Sequence, residues 1–278
     1  MKIIQLYHPG PEPRVSKGSD CCDWNVRETH CRKFMCTTGD CIGSDGAHED
    51  NVKLEFWGEW EAPSKCSRVN NISRKGNWPK HVHEPFVCKP RPKGALNTDP
   101  FVFIEGFVYS CCMIKGYPSL QELQRGDLLL FGSSVGRKFV LDTVFVIERR
   151  QSQADFLNEV EQDHPYAKEI ILQGKIQPDG YVYRGATFDK PVDGMYSFVP
   201  CRKSTSENKG FERPTLEGAS QIVKYVLSKE GKTQGIKCSY AKTDEVWRDL
   251  CDYLRGEGFL EGLVFNYSVK KCLKSNHQ

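Results

Sequence analysis

The stretch GDLLLFGSSVGRKFVLDTVFVIE, residues 126–148, decides the fold class. Its two arms are rich in β-branched and aromatic residues, and Gly132, Ser133, Ser134 and Gly136 between them are turn formers, so it reads as a β-hairpin. In the second arm Phe139, Leu141, Phe145 and Ile147 alternate with Val140, Asp142, Val144 and Val146. Both faces are therefore apolar, as in a strand covered on both sides. Asp142 is the exception. An isolated buried carboxylate is costly, so it must be hydrogen-bonded, ion-paired or functional.

On either side of the hairpin the chain holds more strands than helices. Residues 2–7 (KIIQLY), 52–62 (VKLEFWGEWEA), 101–110 (FVFIEGFVYS) and 181–200 read as extended. Short helices are expected near 119–124, 152–162 and 166–173, and 23–35 (DWNVRETHCRKFM) reads as a helix with Asp23 as N-cap. The basic, Pro- and Asn-rich segment 63–100 lacks periodicity and is expected as a long surface loop. Beyond a polar linker at 201–210, apolar residues from Leu216 to Leu227 recur at helical spacing, and Val246, Trp247, Leu250 and Leu254 mark a second helix over 243–255. The expected fold is α+β, with a mostly β base-recognition domain over 1–205, peripheral helices, and a small helical unit over 206–278.

Composition narrows the setting. The chain has 278 residues, 38% hydrophobic and 27% charged, ordinary values for a globular protein. No apolar run approaches the roughly 20 residues that span a bilayer. The start, MKIIQLYHPGPEP, is too short in apolar residues for a signal-peptide core, so a cytoplasmic protein is expected. Thirteen cysteines are then expected as thiols rather than as a disulfide framework. The net charge of +3 is too small to prove a polyanionic partner, but between Lys65 and Asn97 eight Lys and Arg face a single acid, Glu84. Such a local excess can gather phosphates.

Candidate chemistry lies in four places. In LEFWGEWE (54–61), strand alternation puts Leu54, Phe56, Gly58 and Trp60 on a core face and Glu55, Trp57, Glu59 and Glu61 on the other. Trp57 would stack on a base while Glu55 and Glu61 bond its edge. A carboxylate against an indole can have its pKa raised toward general-acid use, which makes Glu59, with Asp142, a candidate catalytic carboxylate. A solvated outer face with an incidental Trp is the competing reading. Arg27, His30, Arg32 and Lys33 suit phosphate contact, as do Arg74, Lys75 and Lys80 of the basic segment, although an ordinary charged surface would look alike. In 181–202, Arg184 and Arg202 stand among Tyr181, Tyr183, Phe188, Tyr196 and Phe198, a pattern that fits base stacking or a plain sheet core. Finally, Cys21, Cys22, Cys31, Cys36 and Cys41 cluster in sequence, but no CxxC occurs, and His81-x-His83 lacks an obvious third ligand. No metal and no cofactor are expected. Neither a Walker signature nor GxGxxG occurs.

The hairpin 126–148 resembles the end of a PUA-like barrel, the superfamily of ASCH and EVE domains, many of which grip nucleobases or RNA. Together WN (24–25), HCRKF (30–34), FWGEWE (56–61) and GMYSFVPC (194–201) resemble nucleotide-modification-associated domain proteins, which are thought to accompany phage DNA modification and the defences against it. The resemblance covers roughly 1–205. It implies a PUA-like barrel or mixed sheet and a DNA or RNA partner, with modified bases. The expected function is capture of an extruded or modified base, with cleavage of its N-glycosidic bond as in a DNA glycosylase. A non-catalytic reader of modified DNA or RNA stays open, as does a nucleotide-processing enzyme or small-molecule sensor.

Overall fold

The computed structural model describes residues 1–16, 19–26, 29–69, 78–88, 91–110, 113–205, 210–227 and 235–270. Strand residues outnumber helical ones, and the strands form two mixed sheets. The six-stranded sheet runs β12 (Gly235–Tyr240), β1 (Lys2–His8), β8 (Leu128–Val135), β9 (Lys138–Ser152), β10 (Tyr181–Gly185) and β7 (Val108–Tyr109). The second sheet runs β13 (Leu260–Phe265), β11 (Val199–Lys203), β4 (His48–Gly58), β3 (Lys33–Ile42), β6 (His81–Val87), β5 (Ser64–Arg68) and β2 (Cys21–Cys22), with β14 (Ser268–Val269) beside β6. β13 also pairs with β3. The described residues also form five α-helices: α1 (Pro118–Gln121), α2 (Gln153–Val160), α3 (Ala167–Ile171), α4 (Gln221–Val226) and α5 (Thr243–Gly256).

β8 and β9 are the expected hairpin, but the turn is tighter than Gly132–Gly136. It consists of Gly136 and Arg137, both at positive φ (57° and 68°), the geometry that suits a two-residue hairpin. Gly132 lies inside β8, where an added Cβ would meet the Val140 carbonyl at 2.2 Å. Across from it the register slips: Phe131 pairs with Thr143 and Gly132 with Leu141, leaving Asp142 as the extra residue of a β-bulge. The bulge reverses the alternation. Phe139 and Leu141 before it and Val144 and Val146 after it all enter one apolar cluster, while Phe145 and Ile147 enter the other. Asp142 therefore does not share one regular face with Val140, Val144 and Val146.

Three other expectations are corrected. Residues 23–35 are not helical where described; the segment leads into β3, in keeping with its poor helix formers Asn25 and Thr29. Segment 63–100 contains β5 and β6 rather than one long loop. Residues 206–278 supply α4 and α5 but also β12 and β13, which pair with β1 and with β11 and β3, so this region completes both sheets. No helix among the described residues is long and apolar enough to cross a membrane.

Candidate functional site

Where the two sheets meet, chain ends and turns bring a set of charged side chains into the interior. β4 ends at Gly58, and the residues after it no longer alternate regularly. Glu59 and Glu61 both turn inward: Glu59 Oε1 lies 2.9 Å and Glu61 Oε1 3.0 Å from Nδ1 of His30, which stands just before β3. The far oxygen of each carboxylate is anchored elsewhere. Glu59 Oε2 accepts from Arg32 Nη1 in a very short ion pair and lies 3.2 Å from His8 Nδ1 at the end of β1. Glu61 Oε2 accepts from Asn25 Nδ2 at 2.7 Å. Backbone amides complete the cradle, Asp99 N–H donating to Glu59 Oε1 (3.1 Å) and Cys31 N–H to Glu61 Oε1 (3.2 Å).

A further layer holds Arg32. Its Nε donates to Asp142 Oδ2 at 2.9 Å, and Arg213 Nη1 approaches Asp142 Oδ1 at 3.8 Å. The bulge in β9 turns the Asp142 carboxylate to this task. Arg213 is in turn fixed by Ser133 Oγ and the Gly10 carbonyl, at 3.1 and 2.9 Å. Buried charges on this scale persist only when matched, because each ion taken from water costs several kcal/mol. Here the carboxylates of Glu59, Glu61 and Asp142 face the cations Arg32, Arg213 and His30.

His30 differs from the rest. Its side chain is 19% exposed while those of Glu59 and Glu61 are fully buried. Burial alone would lower its pKa, but Glu59 and Glu61 outweigh that and raise it to about 10. The ring is an imidazolium at neutral pH, with Nδ1–H shared between two carboxylates and no described residue bonded to Nε2. For Glu59, burial acts upward, yet His30 and Arg32 outweigh it and hold the carboxyl well below its usual range. His8, stacked on His30 at 5.8 Å, is pushed the other way, burial keeping it neutral against the pull of Glu59.

Beside the cluster a cleft of about 260 Å³ opens, lined by Arg14, Asp23, Trp24, Asn25, Cys31 and Lys33 among others. Asn25 and Cys31 belong to both cleft and cluster. The Trp24 indole N–H is buried without a hydrogen-bond partner among the described residues. His30, Glu59 and Glu61 also bring three donor atoms within 4.8 Å of one another, as a metal site would. The hydrogen-bonding distances to Nδ1 and the two arginines already balancing the carboxylates favour a proton in that place.

The expected site residues thus divide. Glu59, Glu61, His30, Arg32 and Asp142 come together, but as one ion network instead of separate base-binding and phosphate-binding groups. Arg32 and Lys33 are buried and offer phosphates no open face; Lys33 Nζ donates to the Ala62 carbonyl at 3.3 Å, and burial lowers its pKa. Trp57 is buried too, and cannot serve as an open stacking platform. Its Nε1 donates to the Phe211 carbonyl at 2.8 Å, and the Arg213 guanidinium covers its ring at 4.8 Å. Both faces of the C-terminal half of β4 are packed, Trp57 into one cluster and Leu54 and Phe56 into the other, which Trp60 joins just beyond the strand. Glu55 is buried apart from the network, accepting from Ser204 Oγ at 2.9 Å, with burial raising its pKa. Lys80 is exposed, and its backbone N–H bonds Glu12. Arg27, Arg74 and Lys75 lie outside the described residues. His8, Asn25, Asp99 and Arg213 were not anticipated. His8 had a faint signal, as a polar residue closing an apolar strand just before Pro9; Arg213 had none.

Compared with protein-family models, with curated proteins and with solved structures, the chain matches none.

Proposed function

We propose that the His30–Glu59–Glu61 cluster is the acid–base centre of an enzyme that captures a base of DNA or RNA and cleaves its N-glycosidic bond. The observation that carries this reading is the partly exposed His30 imidazolium, clamped at Nδ1 by two buried carboxylates beside a cleft. A carboxylate that fixes one imidazole nitrogen leaves the other aimed and ready for proton transfer. The cleft is below the roughly 300 Å³ of drug-sized pockets, so it takes one ring system rather than a length of strand. Asn25, on the cleft wall, would bond the base edge. On β5, Lys65 and Arg68 are exposed, and Lys65 pairs with Cys21 on the cleft rim, where a phosphate backbone could follow. The resemblance of 126–148 to PUA-like base-binding proteins supports the same substrate class.

In the proposed reaction the C1′–N bond breaks and its electron pair leaves with the base, which takes the proton from His30 Nε2. The Glu59 and Glu61 carboxylates favour the oxocarbenium-like sugar that forms, through the field they set across His30. Water adds to C1′ and returns a proton to His30. Glu59 and Asp142 act here as positioning residues: Glu59 holds His30, and Asp142 holds Arg32 against Glu59.

Abasic sites break on alkaline treatment. Labelled DNA carrying normal and modified bases, incubated with the protein and then treated with alkali, should show strand cleavage at the target base; for RNA, which alkali cuts at every linkage, release of the free base is the readout. Tight, salt-dependent binding without cleavage would instead identify a reader, and binding of free nucleotides with little salt dependence would identify a mononucleotide pocket.

A further inference from the structure

A nucleophile on the cleft wall takes no part in the reaction above. Lys33 opens β3 opposite Gly58 and lines the cleft, two residues after Cys31, which shares that wall. Its side chain is buried, yet among the described residues no carboxylate stands within ion-pair distance of it. Its Nζ makes one hydrogen bond, to the Ala62 carbonyl at 3.3 Å. Arg32 beside it is the opposite case, bonded to both Glu59 and Asp142. An ammonium carries three donors and is costly to bury without a counter-ion, whereas a neutral amine asks far less of its surroundings.

Burial, the largest influence on Lys33, lowers its pKa against the opposing pull of Glu61 and of Cys22, Cys31 and Cys66. Those groups also locate the amine. Glu61 belongs to the clamp on His30, and Cys22 and Cys31 line the cleft, so Nζ lies near both. A desolvated lysine with a free lone pair is the nucleophile that forms Schiff bases with carbonyl compounds. Donating an N–H to Ala62 leaves that lone pair unengaged.

We propose, taking the cleft as the base site argued above, that Lys33 is a second catalytic group, which captures the abasic sugar of DNA as an imine and then cuts the strand on its 3′ side. The sugar opens to an aldehyde at C1′, and the departed base leaves room for it in the cleft. The Nζ lone pair adds to C1′. The former carbonyl oxygen takes one proton from the nitrogen and one from solvent and leaves as water. The resulting iminium keeps one N–H, which can stay on the Ala62 carbonyl. The C2′ proton then passes to solvent and its electron pair forms the C2′=C3′ bond, as C3′–O breaks and the 3′ phosphate leaves with the bonding pair. Water hydrolyses the iminium and frees Lys33.

Borohydride reduction of the full-length protein with labelled DNA that already carries an abasic aldehyde tests this step apart from base release. A covalent protein–DNA complex should form, and peptide mapping should place the reduced adduct on Lys33. Without borohydride the strand should break before any alkali is added. DNA with a tetrahydrofuran analogue, which has no aldehyde, should give no complex. Lys33→Met removes the amine at similar volume and should lose both the complex and the cleavage. A thermal melt shows whether that variant folds, and the adduct map on the wild type decides the matter if it does not. No trapped complex in the wild type, an adduct on the Met1 amine or on an exposed lysine, or full trapping by a folded Lys33→Met would overturn the proposal. Trapping on Lys33 by a protein that releases no base from intact DNA would count against His30 as the acid and uphold Lys33 as the nucleophile. Base release without trapping would do the reverse.

Discussion

The proposed proton donor, His30, is held as an imidazolium by two carboxylates at its Nδ1, while its ring is partly exposed. The same arrangement makes it a stability switch. Its folded pKa, about 10, lies above the ordinary histidine value of 6.5, so between those values the native state holds more protons than the unfolded chain. Its contribution is fully present below about 6.5 and is lost as pH rises through about 10. The wild type should lose, relative to His30→Asn, on the order of a few kcal/mol across that window. Parallel curves of unfolding free energy against pH for the two proteins would contradict this. Arg32 belongs to the same balance. Arg32→Met strands Glu59 and Asp142 without their shared cation and should cost about 3–5 kcal/mol in urea unfolding. Trp57→Ala should also destabilise the fold, by about 3–5 kcal/mol, as should Trp60→Ala, because both indoles are buried. A silent Trp57→Ala would revive it as an exposed platform.

Strand β9 shows how much of an element its residues foretell. The hairpin, the helix over 243–255, and the core placement of Leu54, Phe56 and Trp60 were legible, because each follows from a short-range apolar period and nearby turn residues. The bulge at Asp142 was not. It depends on the partner strand, where Gly132 lets the backbones approach, and alternation within one strand carries no trace of its partner. Trp57 misled for a related reason: one period of alternation separates two faces but does not say that a second core covers the outer one. The Glu59–Glu61–His30 contact was half legible. Its acids and its histidine stood out as candidates, yet their meeting depends on β4 ending at Gly58 and on the turn before β3. Gly132→Ala tests the bulge itself: the added Cβ would collide with the Val140 carbonyl, shift Asp142 away from Arg32 and lower the melting temperature. An unchanged melting temperature would show that the backbones can part there at no cost.

Across the whole molecule, the site depends on both sheets and on the C-terminal region. His8 and Asp142 come from one sheet, His30, Arg32, Glu59 and Glu61 from around β3 and β4 of the other, and Arg213 from the segment before α4. β12 and β13 pair with strands of both sheets. A chain cut after residue 205 should therefore fail to unfold cooperatively and should lack near-UV circular dichroism. A cooperative transition in that fragment would show that residues 1–205 form a self-sufficient unit. Base release by the intact protein tests the central claim most directly, measured by mass spectrometry after incubation with DNA and RNA bearing normal and modified bases. Free base should accumulate with the wild type and should fall by about 10²–10⁴-fold with His30→Asn, while polynucleotide binding measured in parallel stays intact. Release that is equally fast without the His30 imidazole, or no release from any substrate that the wild type binds, would contradict the assignment of His30 as the acid that drives the bond apart.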